Sequence, residues 1–397
     1  MSGELRAYGA LLAMALLPIA AGAHSSLRMP KEAKKRLRAY HGIKEDASHD
    51  EEEDEEIDRL TKEDAYGFPI LGSVVLFGLY LCFKYLPKIW INRIIGGYMS
   101  LMGVGATARL AIAVVQAGTS EERWKGLSLW RLSLYKNKSE KASASANLVH
   151  LGAIVLAVVL AITQHYYPHW IVSNLLALSF AFNAISLLRL DSFFTGSALL
   201  ALLFIYDIWW VFGSKAVFGA DVMVTVATNL DAPIKVTFPR DLAAASGFSL
   251  LGLGDIVLPG IFIALALRYD YSRALRANPP PRPSSNFARP YFYTVFVAYI
   301  LGLVTTVFVM HTFKAAQPAL LYLSPACIGS VTICALVRGE IAQLWAFDDA
   351  SDDDKPKKEK GEVGEAAKGK EEVGEVAEST SVEVEGQRVL RSRAVKQ

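Results

Sequence analysis

Apolar residues in this chain fall in long unbroken runs, not in the strict alternation of a half-buried strand or the one-sided stripe of a soluble helix. A helix that crosses a bilayer needs ~20 consecutive apolar residues. Nine stretches approach that length: residues 7–23, 68–86, 94–117, 148–163, 170–188, 193–213, 248–267, 290–310 and 319–337. The pattern predicts an all-α polytopic membrane protein of nine transmembrane helices whose core is the helix bundle itself. One connection departs from it. Between the sixth and seventh runs, Val222 to Val226 and Ile234 to Phe238 are rich in β-branched residues and flank a turn-like segment, Asn229 to Pro233. That reads as a short two-stranded ribbon on the outer face.

Composition agrees with the runs. Hydrophobic residues make up 52% of the 397 and charged residues 20%, with a mean hydropathy of +0.29, which leaves no room for a large soluble domain. The formal net charge of +2 argues against a nucleic-acid partner. Cys82, Cys327 and Cys334 lie in or beside apolar runs without metal-ligand or disulfide spacing, so they read as packing residues.

Charge placement orients the bundle. Arg28, Lys31, Lys34, Lys35, Arg36, Arg38 and Lys44 follow the first run, and further Lys and Arg residues follow the third, fifth and seventh. The alternate loops are sparse in basic residues. Nine spans with a lumenal amino terminus and a cytosolic carboxyl terminus satisfy the positive-inside bias. Ala21-Gly22-Ala23 also suits signal cleavage, but removing the first span would put Lys34-Lys35-Arg36 on the outer side. The chain then divides into a first transmembrane helix (1–23), a charged cytosolic loop (24–67), spans two to five (68–189), spans six to nine (190–345) and a charged, disordered cytosolic tail (346–397). Asn137-Lys138-Ser139, a glycosylation acceptor pattern, faces the cytosol in this arrangement.

Ionisable residues at membrane depth are functional by default. Asp207 lies six residues before Gly213, and Asp255 seven residues after Phe248. At a rise of ~1.5 Å per residue both would lie roughly 10 Å below the same surface on consecutive antiparallel helices. Two carboxylates in apolar surroundings cannot both be charged at low cost, so they share a proton and supply one acid and one base. Such a pair suits amide hydrolysis: the ionised member takes a proton from water as it attacks, and the protonated member hydrogen-bonds the carbonyl oxygen. Neither metal nor cofactor is called for. A proton-coupled carrier would also need buried acids.

Tyr206-Asp207, Gly252-Leu253-Gly254-Asp255 and Gln317-Pro318-Ala319-Leu320 resemble the three signatures of the GxGD intramembrane aspartyl proteases. Beyond these motifs, Phe204 to Gly213, Val222 to Ala227, Ala232 to Lys235 and Leu250 to Asp270 look like the signal peptide peptidase branch rather than the presenilins. The resemblance implies a presenilin/signal peptide peptidase-like bundle with Asp207 and Asp255 as the catalytic pair. It also implies a Pro318-Ala319-Leu320 turn that shapes the site, transmembrane-peptide substrates such as remnant signal peptides and type II proteins, and the endoplasmic reticulum membrane. Gly252 and Gly254 permit close approach to Asp255 and local unwinding, and Pro318 starts the ninth span with irregular backbone. Tyr206 is read either as a hydrogen-bond partner of a carboxylate or substrate, or as ordinary packing. Asn174 and Asn183 read as interhelical hydrogen-bonding residues. Homo-oligomerisation is left open, as is a relative of a later compartment. Two rivals of other classes are a proton- or cation-coupled carrier, which usually shows an internal repeat where this sequence has no second copy of either acid motif, and a catalytically silent adaptor that binds membrane helices.

Overall fold

The computed structural model describes residues 2–41, 59–119, 123–124, 130–136, 139–219, 222–241, 246–313 and 317–349. The acidic stretch after His41 and the tail from residue 350 lie outside the described residues. The long helices are α1 (Ser2–Ser25), α3 (Lys62–Tyr85), α4 (Lys88–Gly118), α5 (Leu148–Tyr166), α6 (Trp170–Leu187), α7 (Phe193–Ile208), α10 (Gly254–Ala274), α11 (Pro290–Phe313) and α12 (Leu320–Arg338). Shorter helices are α2 (Lys31–Tyr40), α8 (Ser214–Phe218), α9 (Val222–Asn229) and α13 (Ile341–Trp345). The strands are β1 (Arg59–Leu60), β2 (Trp130–Lys136), β3 (Ser139–Ala146), β4 (Arg189–Leu190), β5 (Lys235–Asp241) and β6 (Ser246–Gly252). They form three two-stranded sheets: β1 with β4 in parallel, and the antiparallel pairs β2–β3 and β5–β6.

Among the described residues, eight helical segments are long and apolar enough to cross a membrane. The expected seventh span, α10, is a 21-residue helix but carries Asp255, Arg268, Asp270 and Arg273. Those charges keep it below the apolarity of its neighbours. Even so it is the central helix, buried without interruption from Pro259 to Tyr271, and α1, α6, α7, α11 and α12 pack around it. Side chains this uniformly buried mean that α10 faces protein on all sides. The peripheral helices instead show apolar side chains outward: Leu71 is 64% exposed, Ile94 68%, Leu301 61% and Phe308 69%. Bare apolar faces of that kind need lipid, and the chain is a multi-pass membrane protein.

Small residues set the distances at the centre. Along α1, Ala7, Leu11, Ala15, Ile19 and Ala23 recur every four residues and are all buried. A Cβ on Gly22 would come within 2.9 Å of Ile185, and one on Gly260 within 2.5 Å of the same side chain. Ile185 of α6 thus fills the gap between α1 and α10 only because both present glycine there. On α7, a Cβ on Gly196 would meet the Phe262 ring at 2.7 Å.

One end of the bundle is locked by charge. Arg268 Nε donates to Asp349 at 2.6 Å, and its Nη1 to Ser26 Oγ at 3.3 Å. Arg273 makes a two-pronged pair with Glu340 at 2.7 and 2.6 Å, and the Tyr291 hydroxyl donates to the same carboxylate at 2.7 Å. Arg189 Nη2 donates to the Ser26 carbonyl, and the Asp349 N–H donates to the Asp191 carbonyl at 2.8 Å. Asp270 accepts from the N–H groups of Tyr291 and Phe292, closing the amino end of α11. Arg36 of α2 donates to the carbonyls of Leu275 and Ala277. The region expected as a charged loop therefore contains a helix strapped to α10, and the first four residues of the expected tail, Ala346 to Asp349, are placed against the bundle, where Asp348 bridges Ser192 and Asp349 pairs with Arg268.

The expected ribbon holds for its second strand, Ile234 to Phe238, most of which lies in β5, but not for its first. Val222–Asn229 is helical, and Lys235–Asp241 pairs with Ser246–Gly252 instead. β-branched content alone did not decide it. The Thr228 hydroxyl and the Asn229 side chain bond back to the Val224 and Thr225 carbonyls, which suits a helical turn. The seventh span correspondingly starts at Gly254 and not at Phe248, whose segment is strand.

Two outcomes follow for the charged lock. Asp349→Ala leaves the Arg268 guanidinium, 5% exposed, buried without its carboxylate, a loss of roughly 3–5 kcal/mol by the usual magnitude for a broken buried pair. Arg338→Ala, at a side chain 41% exposed, costs at most about 1 kcal/mol. Thermal denaturation in detergent should show the first midpoint well below the second. Burial alone would raise the Glu340 pKa, but the Tyr291 hydroxyl, Arg273 and Arg338 outweigh it and hold the carboxyl below the ordinary glutamate range. The stabilisation by Glu340 is thus complete above that range and lost as pH falls through the lowered folded value. Melting Glu340→Gln beside the parent should show a gap that closes on acidification.

Candidate functional site

Asp207 is placed by an unusual stretch of α7. Ser192 caps the helix by accepting from the Thr195 N–H at 3.2 Å. Regular α geometry then runs to Ile208, where one wide π turn, Trp209–Gly213, intervenes before α8. Such turns displace the side chains around them and are frequent at functional sites. The Trp210 indole N–H donates to Ser73 Oγ of α3 at 3.1 Å, holding the turn against a neighbouring helix. Asp207, two residues before the turn's first residue, is 4% exposed.

Asp255 is placed by the hairpin. β5 and β6 pair from Lys235↔Gly252 to Asp241↔Ser246, and the ladder continues with the Leu253 N–H donating to the Ile234 carbonyl at 2.9 Å. The chain turns directly into α10, with the Ile256 and Val257 N–H groups both donating to the Leu253 carbonyl. Asp255 therefore stands in the first turn of a helix that emerges from a strand, not two turns inside a continuous helix. It is half-buried, where Asp207 is fully enclosed.

The two acids come together. Asp207 lies near enough to Asp255 for the two carboxyl groups to interact through space, and the Leu320 N–H, at the first turn of α12, is directed at the Asp207 carboxylate. Pro318, Ala319 and Leu320 are all buried, so the turn presents a backbone donor of a helix start to the acid. A Cβ on Gly252 would lie 3.2 Å from Asp255 Oδ2. The missing side chain is the space that the carboxylate uses. At Gly254 a methyl would meet only Leu258 at 3.9 Å, so local packing does not demand glycine there. The Tyr206 ring lies against Gly72 of α3 and 6.3 Å from the Trp210 ring; among the described residues its hydroxyl makes no hydrogen bond.

The two edges of the hairpin differ. The Asn174 side chain of α6 accepts from the Thr237 N–H at 2.8 Å and donates to the Thr237 carbonyl at 2.7 Å. This amide imitates a third strand and occupies the outer edge of β5. The expected interhelical role holds for Asn183, which donates to the Ala106 carbonyl of α4, and for Asn174, which donates to Met14 Sδ of α1 at 3.7 Å in addition to its bonds to the strand. Because the Thr237 polar groups point away from β6, those of its partner Leu250 point away from β5, as do those of Phe248 and Gly252. Among the described residues no strand covers that edge. The Phe248 and Leu250 side chains are 42% and 49% exposed, and the row ends three residues before Asp255.

Tyr299 of α11 also reaches the site, its hydroxyl donating to the Asp255 carbonyl at 3.3 Å. Sequence pattern does not single it out, since a tyrosine in an apolar run reads as packing; nor does it reveal the Leu320 N–H or the strand-like role of Asn174. Among the described residues no three His, Cys, Asp or Glu side chains converge as metal ligands.

Comparison with known proteins gives the family. The family model for signal peptide peptidase matches residues 52–351. Signal peptide peptidase of Mus musculus is 39% identical over 360 residues, covering 89% of this chain and 85% of the relative. Signal peptide peptidase of Homo sapiens is 38% identical over 378 residues, covering 92% and 90%. A solved presenilin family intramembrane aspartate protease superposes with a TM-score of 0.47 at 12% identity, over 83% of this chain and 99% of that one, too loosely to add to the assignment. Matched along most of its length by the family model and by both relatives, this chain belongs to the signal peptide peptidase family and is an intramembrane aspartic endopeptidase.

Proposed function

We propose that Asp207 and Asp255 are the catalytic pair and hydrolyse a peptide bond within a transmembrane segment. The observation that carries this reading is the juxtaposition of two acids from α7 and α10 beside the Leu320 N–H, in a bundle otherwise filled by apolar side chains. One carboxylate, ionised, takes a proton from water as the water oxygen attacks the carbonyl carbon; the other, protonated, donates to the carbonyl oxygen. In the tetrahedral intermediate a proton passes to the amide nitrogen, the C–N bond breaks, and a carboxylic acid and an amine leave. The half-buried position of Asp255 suits water entry, and the enclosed position of Asp207 suits a dry partner.

The substrate must be extended to be cut, because amides in a helix are already hydrogen-bonded and shielded. The open edge of β6 offers the main-chain groups of Phe248, Leu250 and Gly252 to such a strand, while Asn174 keeps the same strand from pairing with β5. Remnant signal peptides and type II membrane segments are the substrates this reading favours, with the endoplasmic reticulum as the compartment. α10 crosses the membrane as the seventh of nine spans, since it runs from the hairpin to the charged lock between helices that are themselves apolar enough to cross. The amino terminus is lumenal and the lock cytosolic, as the basic loops require. Both acids lie in one chain, so the chemistry needs no second copy.

Three measurements test these statements. Purified protein incubated with a membrane-helix peptide should release fragments visible by mass spectrometry. Asp207→Asn or Asp255→Asn should lower the rate by about 10²–10⁴-fold, the usual worth of a positioned acid or base. Fragments at undiminished yield from both variants would overturn the assignment, and ion flux lost without peptide cleavage would favour a carrier. Leu250→Pro removes one donor from the open edge while leaving the β5–β6 ladder whole, as Pro239 already does on the other strand. Cleavage should fall about three- to ten-fold with the melting temperature unchanged, and full activity would exclude strand addition there. On the stated orientation, Asn137 stays unglycosylated in microsomes while an acceptor introduced before α1 is modified; endoglycosidase mobility shifts of the opposite sense would reverse the topology.

A further inference from the structure

Pro259 stands four residues after Asp255 within α10. In a regular helix the Asp255 carbonyl would accept the N–H of residue 259. Proline has none, and its ring crowds the carbonyl of the residue four before it, pushing that group off the helix axis. The carbonyl of this aspartate therefore loses its ordinary partner. An unmet buried carbonyl is costly, and the partner comes from another helix: the Tyr299 hydroxyl donates to it at 3.3 Å. Tyr299 itself is 0% exposed. Asp255 of α10 and Cys327 of α12 are both its neighbours, and a Cβ on Gly302, one turn further along α11, would press on Leu323 of α12 at 3.1 Å. It has little freedom to move.

We propose that Tyr299 is a positioning residue for Asp255: its hydroxyl replaces the N–H that Pro259 lacks, and so fixes the backbone from which the Asp255 carboxylate projects toward Asp207. The inference rests on the reading of Asp255 as catalytic. Pro259 and Tyr299 act as one device. The proline frees the carbonyl at the head of α10, and the tyrosine clamps that head to α11, whose neighbour α12 supplies the Leu320 N–H to the other acid. The aspartate is thereby referenced to the same helix pair that holds its partner, rather than to its own helix alone. A loose first turn would leave the carboxylate misplaced with the fold intact, which affects the chemical step more than substrate binding.

The test is a double-mutant cycle on the full chain in lipid nanodiscs with a membrane-helix peptide, with Asp255→Ala as the reference. Tyr299→Phe removes only the hydroxyl and should lower kcat about ten-fold, the scale of one mispositioned hydrogen-bonded group, with KM unchanged. Pro259→Ala returns an N–H to the Asp255 carbonyl, so in its presence Tyr299→Phe should cost less than about two-fold. An equal loss in both backgrounds, or wild-type kcat in Tyr299→Phe alone, would overturn the inference while inactive Asp255→Ala leaves the catalytic reading standing. Undiminished cleavage by Asp255→Ala would instead sink that reading and the inference with it. Should Pro259→Ala not fold by thermal melting, 4-aminophenylalanine at position 299 decides: it keeps a para N–H donor and should retain kcat, and a loss equal to that of the Tyr299→Phe variant would overturn the inference.

Discussion

Backbone polar groups inside an apolar bundle must find partners, and where a helix is interrupted those partners must come from elsewhere in the protein. The head of α10 is the place where this constraint is most severe. A strand arrives, turns within two residues and becomes a helix with a proline in its second turn, all beside two acids. Three of the groups at or beside that head are met by named neighbours. The Leu253 N–H goes to the Ile234 carbonyl, the Thr237 main chain to the Asn174 amide, and the Asp255 carbonyl to the Tyr299 hydroxyl. The main-chain groups of Phe248, Leu250 and Gly252 remain available among the described residues, on the side that leads to Asp255.

The same helix is anchored differently at its other end. There Arg268 and Arg273 meet Asp349 and Glu340, which belong to the chain after α12. Asp270 closes the start of α11. Charges that make α10 too polar to rank among the apolar spans are therefore the ones that tie it to α1, α11 and the segment following α12. A helix buried on all sides has no lipid-facing stripe to set its rotation or depth. Directional hydrogen bonds at both ends supply that definition, and Gly22, Ile185 and Gly260 set its distance from α1 and α6.

Much of this was legible in the residues. Long apolar runs dictate spanning helices because only a helix or a closed barrel satisfies its own backbone in lipid, and the eight apolar spans lie close to the runs that predict them. Asp207 and Asp255 stand out for the same reason, since an acid in such a run demands a purpose. The ribbon was legible as a departure from helix but not in its pairing: Val222 to Val226 is β-branched, yet forms α9. Short segments of that composition take the conformation their surroundings offer.

The order of residues along the chain dictates the membrane bundle, the pair of acids and the motifs that surround them, because the bundle and the acids follow from the cost of placing apolar or charged groups in the wrong solvent. Which strands pair, which edge of the hairpin stays open among the described residues, and which donors face Asp207 and the Asp255 carbonyl depend on how the helices pack. Those are contacts between residues distant in the chain, such as Asn174 with Thr237 and Tyr299 with Asp255. They are made by groups that an apolar run does not distinguish from packing, so no local pattern encodes them, and they arise when the helices close on one another.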